Sequence, residues 1–362
     1  MDIGVDIIKS REDAYLFGFQ QGQELKKMQV FNNHIKRRKK SIRQYTVDIE
    51  EFNTWMSELQ PSLINELEGL SEAIGWRIED TIHEYGGYQD SWKRSGCSAM
   101  MPAGLYGRNY DYHPKTYDGR FVLYQPSSGY GHIGFAQRII GRMDGMNQEG
   151  LAIGYHFVNR LKPGKGFICT TITRLVLEHC KDVPEAVNLL KYLPHRFAFN
   201  YSLADRFGNA AVVEASSKGV FVHNSNIRFC SNHFRSDEKE HENRHFLEET
   251  KYRLSRMSER YSDRQTPLDL FYQINHTKNQ IAKTDYRNFA GTIHSVVYDT
   301  VNQSVYVGLG VNTKPLLIPF GEWINGASVF FSKLKGDLPE IDGAEHLRRN
   351  DGANKRQHTL SR

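Results

Sequence analysis

The spacing of apolar positions divides the chain near residue 97. Before it, "FNNHIKRRKKSIRQYTVDIEEFNTWMSELQPSLINELEGLSEAIG" (31–75) repeats apolar residues at three- and four-residue intervals, which predicts helices broken at Pro61 and ended near Gly75. The first ninety or so residues therefore read mainly as helix. From 98 to 160 the pattern becomes short alternating segments punctuated by glycine, such as "RFVLYQPS" and "YGHIGFAQRIIG", and predicts the strands of a large antiparallel sheet. Helical spacing returns over 169–193, where Pro184 suits the first turn of a second short helix. Strands resume in "FNYSLADRFGNAAVVEASSKGVFVH", with a hairpin turn at Gly208-Asn209. A charged helical stretch is predicted over roughly 238–261, and a last strand pair over "GTIHSVVYDTVNQSVYVGLG". The tail from about 335 is polar, with an end expected to be mobile. Blocks of strands separated by paired helices favour two packed sheets with helices outside over a parallel doubly wound sheet.

Composition narrows the class. The chain has 362 residues, enough for one large layered domain or two ordinary ones, and 39% are hydrophobic with no apolar run of bilayer length. A soluble protein is expected. The start, "MDIGVDIIKSRED", is acidic and lacks a signal-peptide pattern, so a cytoplasmic location is expected. Much of the net charge of +5 comes from "KRRKK" (36–40) and the C-terminal tail. That run reads as a solvated helix face, so neither a nucleic acid nor a membrane is expected as partner. The four cysteines, Cys97, Cys169, Cys180 and Cys230, form no CxxC pair and read as free thiols of a reducing compartment.

One motif points to metal chemistry. His241-Glu242-Asn243-Arg244-His245 satisfies H-E-x-x-H, which on a helix puts two zinc-binding imidazoles and a glutamate base on one face, and it supports an alternative reading as a zinc metallopeptidase. Its setting, "RSDEKE" before and "LEETKYR" after, describes an exposed charged helix instead, so no metal is expected. The glycines around Lys165 do not make a phosphate loop, and no cofactor is expected.

Cys97 admits two readings. It is a small buried hydrophobe, or it is a nucleophile whose thiol attacks the carbonyl of Gly96, a residue that permits a strained and closely approached peptide bond. Cleavage there would free the α-amine of Cys97. Such an amine ordinarily titrates at about pH 8, so it could take the proton of its own thiol and return it to a leaving group.

"SGCSAMMPAGLYGRNYDYHP" (95–114) resembles the nucleophile region of the N-terminal nucleophile hydrolases of the choloylglycine hydrolase superfamily, and most of all the acyl-CoA:6-aminopenicillanic acid acyltransferase branch, peptidase family C45. Similar motifs follow in order: "DGMNQEGLAIGYHF", "SLADRFGNAAVVEAS", "CSNHF" and "GTIHSVVYD", over roughly 86–311. The resemblance implies a four-layer αββα sandwich with a helical leader. Residues 1–96 would be the leader, released as a bound small subunit by cleavage between Gly96 and Cys97. Residues 97–335 would be the catalytic sandwich and 336–362 the tail. It further implies Cys97 as nucleophile, Asp111 as acceptor for its amine, and Asn232 as oxyanion donor. Arg108 would lie near the thiolate if a bulge turns it to the side of Asp111. Arg253 is preferred to Arg244 as a helix cation, and Tyr155 and His156 compete for an oxyanion or substrate position. The implied reaction is acyl transfer from an N-acyl amide, peptide or thioester through a Cys97 thioester, to water or to an amine. An uncleaved binding protein on the same scaffold is the remaining alternative, and self-association is left open.

Overall fold

A computed structural model describes residues 1–92, 96–160, 162–223, 227–288 and 290–349. The chain opens with strand β1 (Asp2–Ser10), followed by α1 (Ala14–Lys27), α2 (Val30–Ser41), α3 (Ile49–Leu59), α4 (Pro61–Ile74) and a short α5 (Ile78–Thr81) that runs into a π turn over Ile82–Gly86. Asp13 accepts from the Leu16 amide and Asp48 from the Glu51 amide, which satisfies donors that a first helical turn leaves unpaired. α4 starts at Pro61 and stops at Gly75, whose φ of 73° is left-handed. α1 and α4 meet at backbone contact, since a Cβ on Gly18 would fall 1.9 Å from the Glu66 carbonyl oxygen.

Strands dominate from residue 96. β2 (Gly96–Met100), β3 (Leu105–Tyr112), β4 (Arg120–Tyr124), β5 (His132–Gln137), β6 (Gly141–Arg142), β7 (Asp144–Asn147) and β8 (Ala152–Asn159) precede α6 (Cys169–His179) and α7 (Val183–Tyr192). Then come β9 (Ala198–Ala204), β10 (Ala210–Ser216), β11 (Gly219–His223), β12 (Phe229–Cys230), α8 (Glu248–Arg260) and α9 (Pro267–Asn275). The last elements are β13 (Thr284–Asp285), β14 (Ala290–Asp299), β15 (Ser304–Leu309), β16 (Leu316–Ile318), α10 (Phe320–Ile324) and β17 (Lys333–Asp337).

Two antiparallel runs, β12-β2-β3-β14-β15 and β4-β5-β7-β8-β9-β10-β11, hold most of the strands. β2 and β3 lie against β8 and β9 without pairing with them, α9 covers β3 and β14, and α6 and α7 pack on β7, β8, β9 and β10. The two runs are not separate sheets, as the pattern predicted. β1 pairs parallel with β4 and antiparallel with β17, and β17 meets β15 at Leu309–Gly336, so one mixed ladder results.

This joining corrects two further expectations. The first 96 residues are not wholly helical, because "DIGVDIIKS" buries Ile3, Val5 and Ile7 in alternation as a strand. The expected boundary at 335/336 runs through β17, and residues up to 349 are ordered against the body, where the Arg349 amide donates to the Asp2 carbonyl at 3.1 Å. Residues 350–362 of the tail lie outside the described residues.

The N-terminal helices also meet the rest of the chain through charge. Glu66 of α4 accepts from Arg174 of α6 at 2.7 Å, with both side chains buried. Arg174 also pairs with Glu178 at 2.5 Å, so removing Arg174 would leave two buried carboxylates without that cation, and breaking such a buried pair typically costs about 3–5 kcal/mol. Among the described residues, no helix is long and apolar enough to cross a membrane.

Candidate active site

The hairpin β2–β3 sets the geometry. Cys97 pairs with Tyr110, Ala99 with Arg108, Ser98 with Asn109 and Gly96 with Asp111. Directly opposed residues share a face and alternate along the strand. Cys97 and Arg108 therefore occupy one face, and Ser98 and Asp111 the other. Arg108 reaches Cys97 with no bulge in this hairpin: its Nη2 lies 3.3 Å from the Cys97 Sγ. The bulge sits instead on β14, between Thr292 and His294.

Arg108 is buried, and both its terminal nitrogens are engaged. Its Nη1 donates to the Met143 carbonyl at 2.8 Å and to Asp144 Oδ2, and its Nη2 donates to the Tyr155 carbonyl. Asp144 also accepts from His294 Nε2 at 3.1 Å and from the Tyr298 hydroxyl at 2.6 Å. Burial opposes ionisation of Asp144, but Arg108, His294 and Tyr298 outweigh it and hold its carboxyl down at about 2. Gly154 of β8 makes room for this arm, since a Cβ there would fall 2.4 Å from the Tyr106 hydroxyl and 2.8 Å from Arg108 Cδ.

The second face gathers around Arg253 of α8. Arg253 Nη1 donates to Asp111 Oδ2 at 2.9 Å and to Ser98 Oγ at 3.0 Å, and its Nη2 donates to Asn232 Oδ1 at 3.0 Å. The same Asn232 oxygen accepts from the backbone nitrogen of Cys97 at 2.8 Å. The other carboxylate oxygen of Asp111 accepts from Thr292 Oγ1 at 2.7 Å. Burial pushes the Asp111 carboxyl up despite Arg253 and Thr292, so this carboxylate is costly to hold charged. Arg253 is kept in place by Glu249, one turn earlier, at 2.9 Å from its Nε.

Asn232 takes an orientation different from the expected one. Its Nδ2, the group assigned to an oxyanion, donates to the Phe157 carbonyl at 2.8 Å, and its oxygen faces Cys97. The two donors on that oxygen fix the amide orientation.

Cys97 is wholly buried, and burial pushes its thiol up to about 11 against the pull of Arg108 and Arg253. The chain thus holds a neutral thiol beside the Arg108 guanidinium. Gly96 lies in extended backbone, without a left-handed φ. Its lack of a side chain answers a different need: a Cβ would come 3.2 Å from the Asp111 Cβ.

Tyr155 and His156 are separated by β8. The Tyr155 ring lies 5.2 Å from the Arg108 guanidinium and edge-on to Trp92 at 5.6 Å, and its buried hydroxyl forms no hydrogen bond among the described residues. His156 turns to Ser202, whose Oγ is 2.8 Å from its Nε2, and burial keeps the imidazole neutral by lowering its pKa well below the usual range.

The H-E-x-x-H segment is not a helix. Glu240–Glu242 form a single 3-10 turn, and α8 begins only at Glu248. Asn243 clasps Phe234 in both directions, at 2.8 and 2.9 Å, which competes with helical hydrogen bonding, and Glu242 is paired with Lys239. Among the described residues no group of His, Cys, Asp and Glu is placed to hold a metal ion. Arg244 lines a separate cavity with Asn159 and His245.

Three residues of the site, Asp144, Thr292 and Glu249, carry no role on sequence grounds. The first two lie inside the resembling motifs "DGMNQEG" and "GTIHS", but their partners are set across strands and sheets. Glu249, four residues before Arg253, was legible from helical spacing.

Comparison with known proteins follows this geometry. Residues 92–314 match the family described as acyl-coenzyme A:6-aminopenicillanic acid acyl-transferase. A search of curated protein sequences finds no match. Among solved structures, the chain is similar to a mutant of conjugated bile acid hydrolase from Clostridium perfringens, at 14% identity over 63% of this chain and 93% of that one, with a TM-score of 0.43. It is also similar to penicillin V acylase from Agrobacterium tumefaciens, at 19% identity over 62% and 78% of the two chains, with a TM-score of 0.40. A third is the Caenorhabditis elegans ortholog of N-acylethanolamine-hydrolyzing acid amidase, at 14% identity over 57% and 93%, with a TM-score of 0.40. The family match spans more than half of the sequence, and the chain belongs to the acyl-coenzyme A:6-aminopenicillanic acid acyl-transferase family.

Proposed function

We propose that this chain is the precursor of an N-terminal-cysteine acyl-transfer enzyme that cuts itself between Gly96 and Cys97 and then hydrolyses a linear N-acyl amide. The observation that carries the reading is the placement of Cys97, with its nitrogen 2.8 Å from Asn232 Oδ1 and its sulfur 3.3 Å from Arg108. Nitrogen and sulfur of one residue are thus each addressed by a separate set of groups. The packing of β2 and β3 on β8 and β9, with α9 and α6 outside, supports the four-layer αββα arrangement for the catalytic part.

In self-cleavage the Cys97 sulfur attacks the Gly96 carbonyl, giving a thioester as the peptide C–N bond breaks and the nitrogen gains a proton. Water then hydrolyses the thioester, which leaves a Gly96 carboxylate and a free thiol and α-amine on Cys97. In turnover the amine takes the thiol proton, the thiolate attacks the substrate carbonyl, and the ammonium returns the proton to the departing amine. Water, activated by the same amine, releases the acid.

Each neighbour has a role in that cycle. Arg108 stabilises the thiolate, and burial makes its charge effective. Asn232 and Asp111 receive the hydrogens of the amine, and Arg253 holds both in register. Tyr155 supplies the hydroxyl donor toward the oxyanion, since its pKa, raised well above the usual value by burial, keeps it protonated. His156 shapes the wall. The leader, residues 1–96, stays bound after the cut through β1 and the Glu66–Arg174 pair. Water is favoured over an amine as acceptor because it is always present.

Intact mass and N-terminal sequencing test the reading. The expected result is a fragment beginning Cys-Ser-Ala-Met and its loss in Cys97→Ala. A chain that stays whole, with amidase activity unchanged in Cys97→Ala, would sink it.

A further inference from the structure

The "KRRKK" run divides its charges. Arg37 pairs with Glu84 and Arg38 with Asp80, both in the leader, so two of the five cations are spent on holding α2 down. Lys36 and Lys40 form no ion pair among the described residues, although they stand one helical turn apart, where like charges repel. Both line a cleft of about 510 Å³ that lies between α2 and the catalytic part. Lys115, also without an ion pair among the described residues, enters from the opposite side, on the 3-10 turn Pro114–Thr116. No carboxylate among the described residues lines this cleft; its other two guanidinium groups, Arg37 and Arg138, are neutralised by Glu84 and Asp90. Three uncompensated cations from two elements thus converge on a space of the size small ligands occupy.

The cleft adjoins the Cys97 shell. Trp92 lines it and packs edge-on against Tyr155, whose ring lies on Arg108. Tyr112 lines it as well, 6.0 Å from the ring of Tyr110, the cross-strand partner of Cys97. The buried Trp92 Nε1 has no hydrogen-bond partner among the described residues, which leaves a polar group in the wall for a ligand to satisfy.

We infer that this cleft is the subsite for an anionic group on the substrate, and that the leader supplies part of it through Lys36 and Lys40. The inference rests on the amidase reading above and narrows it: the substrate is an N-acyl amide bearing a carboxylate, sulfonate or phosphate. The leader then remains a working part of the mature enzyme. The paired cations Arg37 and Arg138 position the wall, and the unpaired lysines attract the anion in a salt-sensitive way.

Matched probes of one acyl chain test this: N-octanoylglycine, N-octanoyltaurine and the neutral N-octanoylglycinamide. Binding and kcat/KM are both measured on the wild-type protein as purified, binding as a dissociation or inhibition constant. The expected result is at least tenfold preference for an anionic probe at low salt, falling as salt rises. A Lys36→Gln/Lys40→Gln/Lys115→Gln variant should lose that preference while keeping its value for the neutral probe. The two acidic probes separate carboxylate from sulfonate. Equal binding of charged and neutral probes, no binding of any probe, or a preference the triple variant retains would overturn the subsite. Anion preference in binding without turnover by wild type would uphold the subsite and sink the amidase reading instead.

Discussion

Arg108 and Asp111 stand three residues apart on β3 and serve opposite faces of it: the guanidinium meets the Cys97 sulfur at 3.3 Å, while the carboxylate takes Arg253 at 2.9 Å. An odd separation on a strand puts side chains on opposite faces, so one short segment addresses the thiol from one side and the neighbourhood of the Cys97 nitrogen from the other. Two charged systems, Arg108–Asp144 and Asp111–Arg253, therefore flank the same residue without competing.

Replacing Arg108 tests the first system. Arg108→Ala leaves Asp144 buried without its cation, and chemical denaturation should show a loss of roughly 3–5 kcal/mol. Arg108→Lys keeps the charge, but one ammonium cannot span the sulfur, Asp144 and the Tyr155 carbonyl together, so self-cleavage should slow by about 100-fold, the scale for losing one preorganised donor. Wild-type stability in the alanine variant would refute the role given to the pair.

Acid should weaken the same pair. The Asp144 carboxyl is held at about 2 against an ordinary value of 3.8, so its stabilisation is complete above pH 4 and is lost as pH falls through about 2. The shift corresponds to about 2 kcal/mol. Denaturation midpoints measured from pH 5 down to pH 2 should fall more steeply in wild type than in Asp144→Asn, and parallel curves would count against the assignment.

Gly154→Ala inserts a methyl where 2.4 Å separates it from the Tyr106 hydroxyl. Such overpacking costs about 1–3 kcal/mol, and here the displaced groups are the Tyr106 hydroxyl and the Arg108 side chain, whose Cδ would lie at 2.8 Å. Cleavage between Gly96 and Cys97, followed by gel electrophoresis over time, should slow even though no polar group has been removed. Processing at the wild-type rate would mean that Arg108 is free to shift.

Thr292→Val keeps the volume and removes the hydroxyl that donates to Asp111 at 2.7 Å. That hydrogen bond favours the charged carboxylate, so its loss should raise the Asp111 pKa further and move the acid limb of kcat/KM to higher pH. Turnover should drop about tenfold, as for a charge-assisted hydrogen bond. Thr292→Ser should restore both the limb and the rate; a profile unchanged by valine would remove Thr292 from the site.

Local pattern carried much of this. Pro61, Gly75 and Pro184 marked helix boundaries because their backbone chemistry acts within a turn, and Gly208-Asn209 marked a hairpin for the same reason. Non-local features were less legible. The alternation Ile3, Val5, Ile7 is short, and its partner strands lie more than a hundred residues away, so β1 reads as part of a helical leader. The 238–261 stretch has helical composition throughout, yet the Asn243–Phe234 clasp delays α8 to Glu248. At the site, motif resemblance drew attention to Cys97, Asp111 and Arg108, whereas the orientation of the Asn232 amide depends on three donors and acceptors from three elements.

β1 carries a further consequence. It completes its pairing only with β17, at the far end of the described residues, so the ladder closes across a very long stretch of sequence. A chain cut between Gly96 and Cys97 would keep that ladder while losing the covalent link that brought the strand to it. Once unfolded, the two pieces would have to find each other by diffusion, and recovery would depend on protein concentration. The cut form would then persist by the height of its unfolding barrier rather than by a reversible balance, and each molecule would have a single opportunity to fold as one chain.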